Sequence, residues 1–335
     1  MRKNWRVVVG IAISLFALAI ILRGVRWDEL VTVLRTANYW WLIPSGLLVV
    51  ISLWSRGMRW RVFLEDKVTP SRMFWITNIG YLISNVLPFR LGELGRVYLV
   101  SRDEQVGTMQ ALSTAILERL IDVLVVFGFI ALILPFVPGN SLIVSLGAGA
   151  AALAAIGVIG LFLAAIWRDP VLKFSATIIR RVWEPLVDPI VSRLDSFLLS
   201  IRATGGKRMV SGMLWSLFLW VISGLSCYTL LLAFEAETPW YVGIFVTCSI
   251  VLGLALPSTP SGIGLLEAAA VAALTLFGIG AETALAYAII LHLLNFVLIA
   301  LFGIIGLDCE DESLQAVAES TRRFMGSLRE QTSGS

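Results

Sequence analysis

Apolar residues run along this chain in blocks divided by short charged or turn-rich stretches, over roughly 7–22, 39–55, 73–88, 108–136, 141–167, 209–234, 240–256, 263–279 and 284–306. At 1.5 Å per residue, a helix crosses the hydrocarbon layer with about 20 consecutive apolar residues. Several blocks meet that length. Three do not: 73–88, 240–256 and 263–279 are short and end on proline or glycine. The opening MRKNWR, followed by an apolar run to Leu22, imitates a secretory leader, but the run closes on RGVRW without a small-x-small cleavage site. A retained first span is therefore expected.

The loops orient these blocks. Loop 56–72 carries Arg56, Arg59, Arg61, Lys67 and Arg72, and segment 168–208 carries Arg168, Lys173, Arg180, Arg181, Arg193, Arg202, Lys207 and Arg208. The connections at 137–140 and 235–239 carry no lysine or arginine. The positive-inside rule places the first two in the cytoplasm and the two bare turns outside. Loop 23–38 should lie outside yet holds Arg23, Arg26 and Arg35, partly offset by Asp28 and Glu29. An amphipathic helix on the outer leaflet accommodates it. Parity then constrains the short blocks: 73–102 must enter and return from inside, and 240–256 with 263–279 must enter and return from outside. The expected fold is an all-α polytopic membrane protein with about six full transmembrane helices. Two oppositely directed re-entrant helical hairpins, a possible inverted repeat, complete it.

Residues 1–306 read as one transmembrane domain, and 307–335 as a short cytoplasmic tail of helix and frayed end. Within the domain, 168–208 reads as cytoplasmic amphipathic helices broken at Pro170, Pro185 and Pro189. Both termini are expected in the cytoplasm and the protein in the cell membrane.

Composition agrees. The 335 residues are 58% hydrophobic and 15% charged, with mean hydropathy +0.87, whereas a soluble domain carries about 25% charged residues. Net charge is +3 with the basic residues scattered among loops, which argues against nucleic acid as a partner. Trp5, Trp27, Trp40, Trp41, Trp60, Trp75 and Trp240 fall near span ends, where amphipathic rings favour the interface. Three separate cysteines give neither a disulfide framework nor metal-ligand spacing. No cofactor or metal is expected. The absence of GxxxxGK[ST] excludes a P-loop ATPase, and the absence of HExxH and GxSxG disfavours hydrolytic chemistry. An intramembrane transferase using Glu93 or Asp122 is left open.

The two short-block pairs have similar tips. The first reads NVLPFRLGELGR from Asn85 to Arg96, the second ALPSTPSGIGLLE from Ala255 to Glu267. In each, Leu-Pro closes an apolar half-helix and is followed by a glycine pair and a carboxylate, although the Pro-to-Gly spacing differs by one residue. Backbone residues Pro88, Gly92 and Gly95 mark the first tip, and Pro257, Pro260, Gly262 and Gly264 the second. Opposed broken helices mark transporter sites near the midplane, and non-helical backbone at that depth must be buried in protein or line a wet cavity. The plainer alternative is that proline and glycine end these helices at the interface.

Charges inside apolar blocks are the second signal. Block 108–136 holds Glu118, Arg119 and Asp122, and 284–306 holds the single histidine, His292, with Asn295. Such groups cost ~2.5–3.5 kcal/mol at a helix centre and so face the bundle interior and pair. Glu118 and Asp122 share a helical face, leaving Arg119 to reach a carboxylate elsewhere, such as Glu93. They serve either a substrate path or an interhelical ion pair. His292 beside Asn295 reads as a packing group or a translocation contact. Arg90, Glu93 and Arg96 crowd the first tip, where arginine forks suit a phosphate and a helix N-terminus adds donors. Alternatively Arg90 and Arg96 snorkel to cytoplasmic water. With Glu267, these residues make up the candidate site.

At NVLPFRLGELGR, at the ERLID of Glu118 to Asp122 and at the PSGIGLLE of Pro260 to Glu267, the chain resembles the flippase-like transmembrane domain of bacterial lysylphosphatidylglycerol synthases. The resemblance covers about 5–306 and includes stand-alone members. It implies translocation of a phospholipid or polyprenyl-linked head group between leaflets, or service as an accessory or scaffold to a lipid- or glycolipid-modifying enzyme. Pro88, Gly92, Glu93, Arg96, Glu118, Arg119, Asp122, Gly262, Gly264 and Glu267 match motif positions. The aminoacyl-transfer domain of the synthases is absent from this sequence, and His292 stands where the resemblance leads one to expect arginine.

Overall fold

A computed structural model of the chain describes residues 25–86, 91–103, 105–138, 167–182, 205–255 and 259–317, with isolated positions between and beyond them. Pro88, Arg90 and Pro257 lie outside the described residues, as do most of the expected spans at 7–22 and 141–167. The described elements are helical. They are α1 (Trp27–Thr36), α2 (Leu42–Phe63), α3 (Pro70–Val86), α4 (Gly92–Val100), α5 (Thr108–Ile133), α6 (Arg168–Val182), α7 (Gly206–Leu231), α8 (Tyr241–Gly253), α9 (Leu265–Thr275) and α10 (Ala281–Cys309).

Among the described residues, four helical stretches are long and apolar enough to cross a membrane: Tyr39–Phe63, Thr108–Phe136, Gly206–Phe234 and Ala281–Cys309. The chain is an all-helical polytopic membrane protein. One of these spans is longer than its hydropathy suggests. The apolar block ends at 55, yet α2 continues to Phe63 and carries Arg56 and Arg59 within its last turns. These two arginines therefore belong to a span and not to a loop. Pro170 is also displaced from its expected role. It sits in the first turn of α6, where its missing N–H would have no helical partner anyway.

Side-chain pairs fix the directions. Ser45 Oγ donates to the Ser226 carbonyl at 3.0 Å, Ser52 Oγ lies 2.8 Å from Ser223 Oγ, and Arg59 Nη1 donates to Ser216 Oγ at 3.1 Å, so α2 and α7 run antiparallel. Helices in lipid gain little from the hydrophobic effect between themselves, and small residues that allow close packing and hydrogen bonding take over. One end of the bundle gathers basic residues: Arg72 reaches Asp103 and Glu310 at 3.0 Å each, and Arg102 pairs with Glu312. The opposite, bare end holds the turn after Phe234, tied by the Asn38 N–H to the Ala233 carbonyl at 2.8 Å.

α3 starts at the basic end and α4 returns to it. α8 starts at the bare end and α9 returns there, so the two hairpins point toward each other. Gly306 of α10 lies against Trp75 and Ile79, and Gly303 against Asn78 and Leu82. That register places the end of α3 beside position 299, leaving about 27 Å of α10 beyond the tip at 1.5 Å per residue. The first hairpin therefore turns inside the bundle. The alternative of helices ending at the interface does not describe it.

α1 is amphipathic, as expected: Leu30 is buried beside Val25, Leu285 and Ala286, while Trp27 and Val31 are exposed. Its excess charge is offset from another element as well, because Arg26 Nε donates to Glu282 Oε1 at 3.1 Å at the start of α10. Of the expected tail, the described residues reach Thr321 and Arg323, and 324–335 lie outside them. α10 runs on to Cys309, and Val317 and Thr321 are buried against the first hairpin beside Gly95.

Candidate functional site

The charged residues in the spans close into a ring. Arg59 Nε meets Glu118 Oε1 at 3.1 Å, and Arg59 Nη1 meets Asp122 Oδ1 at 2.5 Å. Arg119 bridges Asp122 at 3.4 Å and Glu93 at 2.9 Å. Arg96 Nη2 then joins Glu93 and Glu118, both at 2.7 Å. Three arginines thus alternate with three carboxylates, and formal charge sums to zero. Trp220 Nε1 and Ser216 Oγ add hydrogen bonds to Asp122 and Arg59. The ring ties the return arm α4 to α2 and α5. Arg59, Arg96, Glu118 and Asp122 are buried, and buried charge is tolerated only when it is paired.

Two residues in this region depart from their expected surroundings. Arg96 does not snorkel: it is 2% exposed, with its guanidinium 4.4 Å above the Trp60 ring and its Nε and Nη1 without hydrogen-bond partners among the described residues. Trp60 is no interfacial tryptophan either, being fully buried with its indole N–H donating to Thr114. Trp27, Trp40 and Trp240 do face outward at the bare end. Only the Arg119–Glu93 edge of the ring is open, with side chains 44% and 34% exposed.

The return arms start from constrained backbone. A β-carbon on Gly92 would fall on the Gly80 carbonyl, so α3 and α4 cross at bare backbone there. Gly264 has φ +86 and precedes α9 as its N-cap. Glu267, three residues on, accepts the Gly264 N–H at Oε2 (2.6 Å), closing the N-terminal turn as a capping box does. Its Oε1 lies 2.6 Å from His292 Nδ1 of α10. His292 thus has one nitrogen on a carboxylate, and Nε2 has no protein partner among the described residues.

The hairpin tips touch. Ser261, in the left-handed region at φ 61, donates its Oγ to the Asn85 carbonyl at 3.0 Å. Beside this contact lies a cavity of about 260 Å³ between α2, α3, α7, α8, α9 and α10. Hydroxyls and amides line it, among them Ser52, Ser223, Thr247, Asn85 and Asn295, together with the apolar Leu53, Ile250, Leu266 and Ile299. Arg56 is its cation. It donates to the Tyr81 hydroxyl at 3.3 Å and sits 5.4 Å from the Tyr81 ring centre. It makes no ion pair with any described residue.

The structure thus separates the expected site residues. His292 and Asn295 line the cavity, with Glu267 immediately behind His292. Glu93, Arg96, Glu118, Arg119 and Asp122 form the ring and do not line it. Gly262 and Pro260 form the short turn at the second tip. Sequence reasoning missed Arg56, Arg59 and Tyr81. A charge count was the available signal, since Glu93, Glu118 and Asp122 outnumber Arg96 and Arg119 by one.

An all-helical bundle with two opposed broken hairpins meeting at a cavity lined by polar and apolar side chains defines a polytopic membrane protein. The chain belongs to the lysylphosphatidylglycerol synthase TM region family, which it matches over residues 7–303. It is 23% identical over 303 residues to Glycosyltransferase AglD of Haloferax volcanii, covering 78% of this chain and 47% of AglD. The chain thus spans about half the length of that relative. It is also 26% identical over 228 residues to UPF0104 membrane protein MJ1078 of Methanocaldococcus jannaschii, covering 67% of this chain and 92% of the relative.

Proposed function

We propose that the chain is a lipid flippase or transporter, passing an anionic phospholipid or a lipid-linked head group between leaflets. The observation that carries this is Arg56, a guanidinium with no carboxylate partner among the described residues, in a cavity where two opposed broken hairpins meet. A charge at such depth is costly unless it is paired or functional. The polar side chains of the cavity take the head group, its apolar side chains accommodate the start of the acyl or prenyl chains, and opening the tips alternately admits the head from either side. We place the basic end in the cytoplasm of a cell-membrane protein, so that the exposed Cys309 labels from that side only.

The test is reconstitution into liposomes carrying a fluorescent anionic phospholipid, with exchange between leaflets followed by quenching of the outer leaflet. Wild type is expected to exceed protein-free vesicles clearly, and Arg56→Gln to fall toward them. Equal rates with and without protein overturn the proposal.

The AglD match favours a second role. About half of AglD lies outside the matched region, and AglD is named a glycosyltransferase. A chain of this family therefore suits an accessory or scaffold role beside a lipid-modifying enzyme, contacting it through the basic segment 168–208. Here Lys173 and Arg180 are exposed on α6. A stable enzyme partner should then copurify, and its loss on removing those charges is the expected sign.

A further inference from the structure

We infer that the cavity at the hairpin tips is a subsite for a phosphate bearing a hydroxylated, uncharged substituent, and that it selects against cationic head groups. The assignment rests on the lipid-moving role proposed above for the source of that phosphate. Arg56 supplies a planar fork of donors of which one is engaged, with Tyr81, and such a fork matches phosphate oxygens. Around it the side-chain amide of Asn85 is unpartnered among the described residues, Asn295 uses Nδ2 on the Leu291 carbonyl and leaves Oδ1 free, and His292 leaves Nε2 free. These are donors and acceptors for hydroxyl groups.

A cationic head group needs an open carboxylate, and none is in place. Glu267 has one oxygen on the Gly264 N–H and the other on His292. Glu118 and Asp122 each bind two arginines, as does Glu93. An amino group held here would share the cavity with Arg56, and like charges in a low-dielectric site repel strongly. Volume narrows the class further. At about 260 Å³ the cavity is below the roughly 300–1,000 Å³ of sites for drug-sized ligands, which suits one glycerol or one sugar beside the phosphate.

The experiment measures binding of defined lipids to the purified full chain in detergent by native mass spectrometry, with thermal stabilisation as a second readout. Phosphatidylglycerol should bind at least about tenfold more tightly than lysylphosphatidylglycerol or phosphatidylcholine, because all three offer the phosphate and only the latter two bring a cation against Arg56. Arg56→Gln should abolish that ranking and Arg56→Lys should keep part of it. A wild-type protein that binds the three lipids equally, or prefers the lysyl lipid, overturns the inference whether or not the variants fold. Glycerol 3-phosphate shares the head but lacks the chains, and it should compete only weakly. If it binds as tightly as the lipid, the lipid assignment is wrong. Should vesicle exchange fail while the ranking holds, the transport reading falls and the subsite stands.

Discussion

Two constellations of charge sit within the same helices and differ in one respect, whether each charge has a partner of opposite sign. The ring of Arg59, Glu118, Arg96, Glu93, Arg119 and Asp122 is neutral, and each member bonds two others. Arg56, three residues before Arg59 on the same helix, has a tyrosine and an open cavity. Burial of charge alone therefore does not mark a site. A closed set holds helices in register, and an open one has something left to bind.

The largest effect should come from breaking the ring. Arg59→Met leaves Glu118 and Asp122 buried beside an apolar side chain, and unpairing a buried charge costs about 3–5 kcal/mol. Loss of monodisperse protein or a steep fall in Tm in detergent is the expected outcome, and an unchanged Tm would dissolve the contrast between the two sets. Gly92→Ala should come next, because the new methyl collides with the Gly80 backbone and forces the hairpin arms apart, at about 1–3 kcal/mol as overpacking. Protease sensitivity between α3 and α4 reports it.

Glu267→Gln removes a charged partner from both the α9 N-terminus and His292, and about 1–2 kcal/mol is expected from loss of a capping and charge-assisted bond. Chemical unfolding of wild type and variant in parallel measures it. Arg56→Gln should move stability by no more than about 0.5 kcal/mol, as a substitution away from packed features does, while lipid exchange drops. Arg102→Ala, which breaks an exposed pair with Glu312, closes the series with about 0–1 kcal/mol and unaltered exchange.

Much of the architecture was legible because loop charge and block length obey the bilayer. Parity alone led to two opposed hairpins, which appear as α3–α4 and α8–α9. The Glu93–Arg119 pairing followed from helical spacing. What escaped the sequence has one cause. Arg56 and Arg59 look identical to Arg61 in a hydropathy profile, so all three read as a cytoplasmic loop. α2 runs on past Arg56 because its arginines meet side chains of α5 and α3, contacts distant in sequence: Arg59 to Glu118 and Asp122, Arg56 to Tyr81. Trp60 was misplaced for the same reason. The meeting of Ser261 with Asn85 is a tertiary fact that similar tips suggest but cannot locate.

The central claim is that lipid passes where those tips meet. The direct test is to install cysteines at Asn85 and Ser261, in a background with Cys227, Cys248 and Cys309 replaced by alanine, and to measure leaflet exchange in vesicles before and after reduction. Oxidised protein should fall to the protein-free rate and recover when reductant is added. Exchange at the same rate with the tips locked and unlocked would contradict the account.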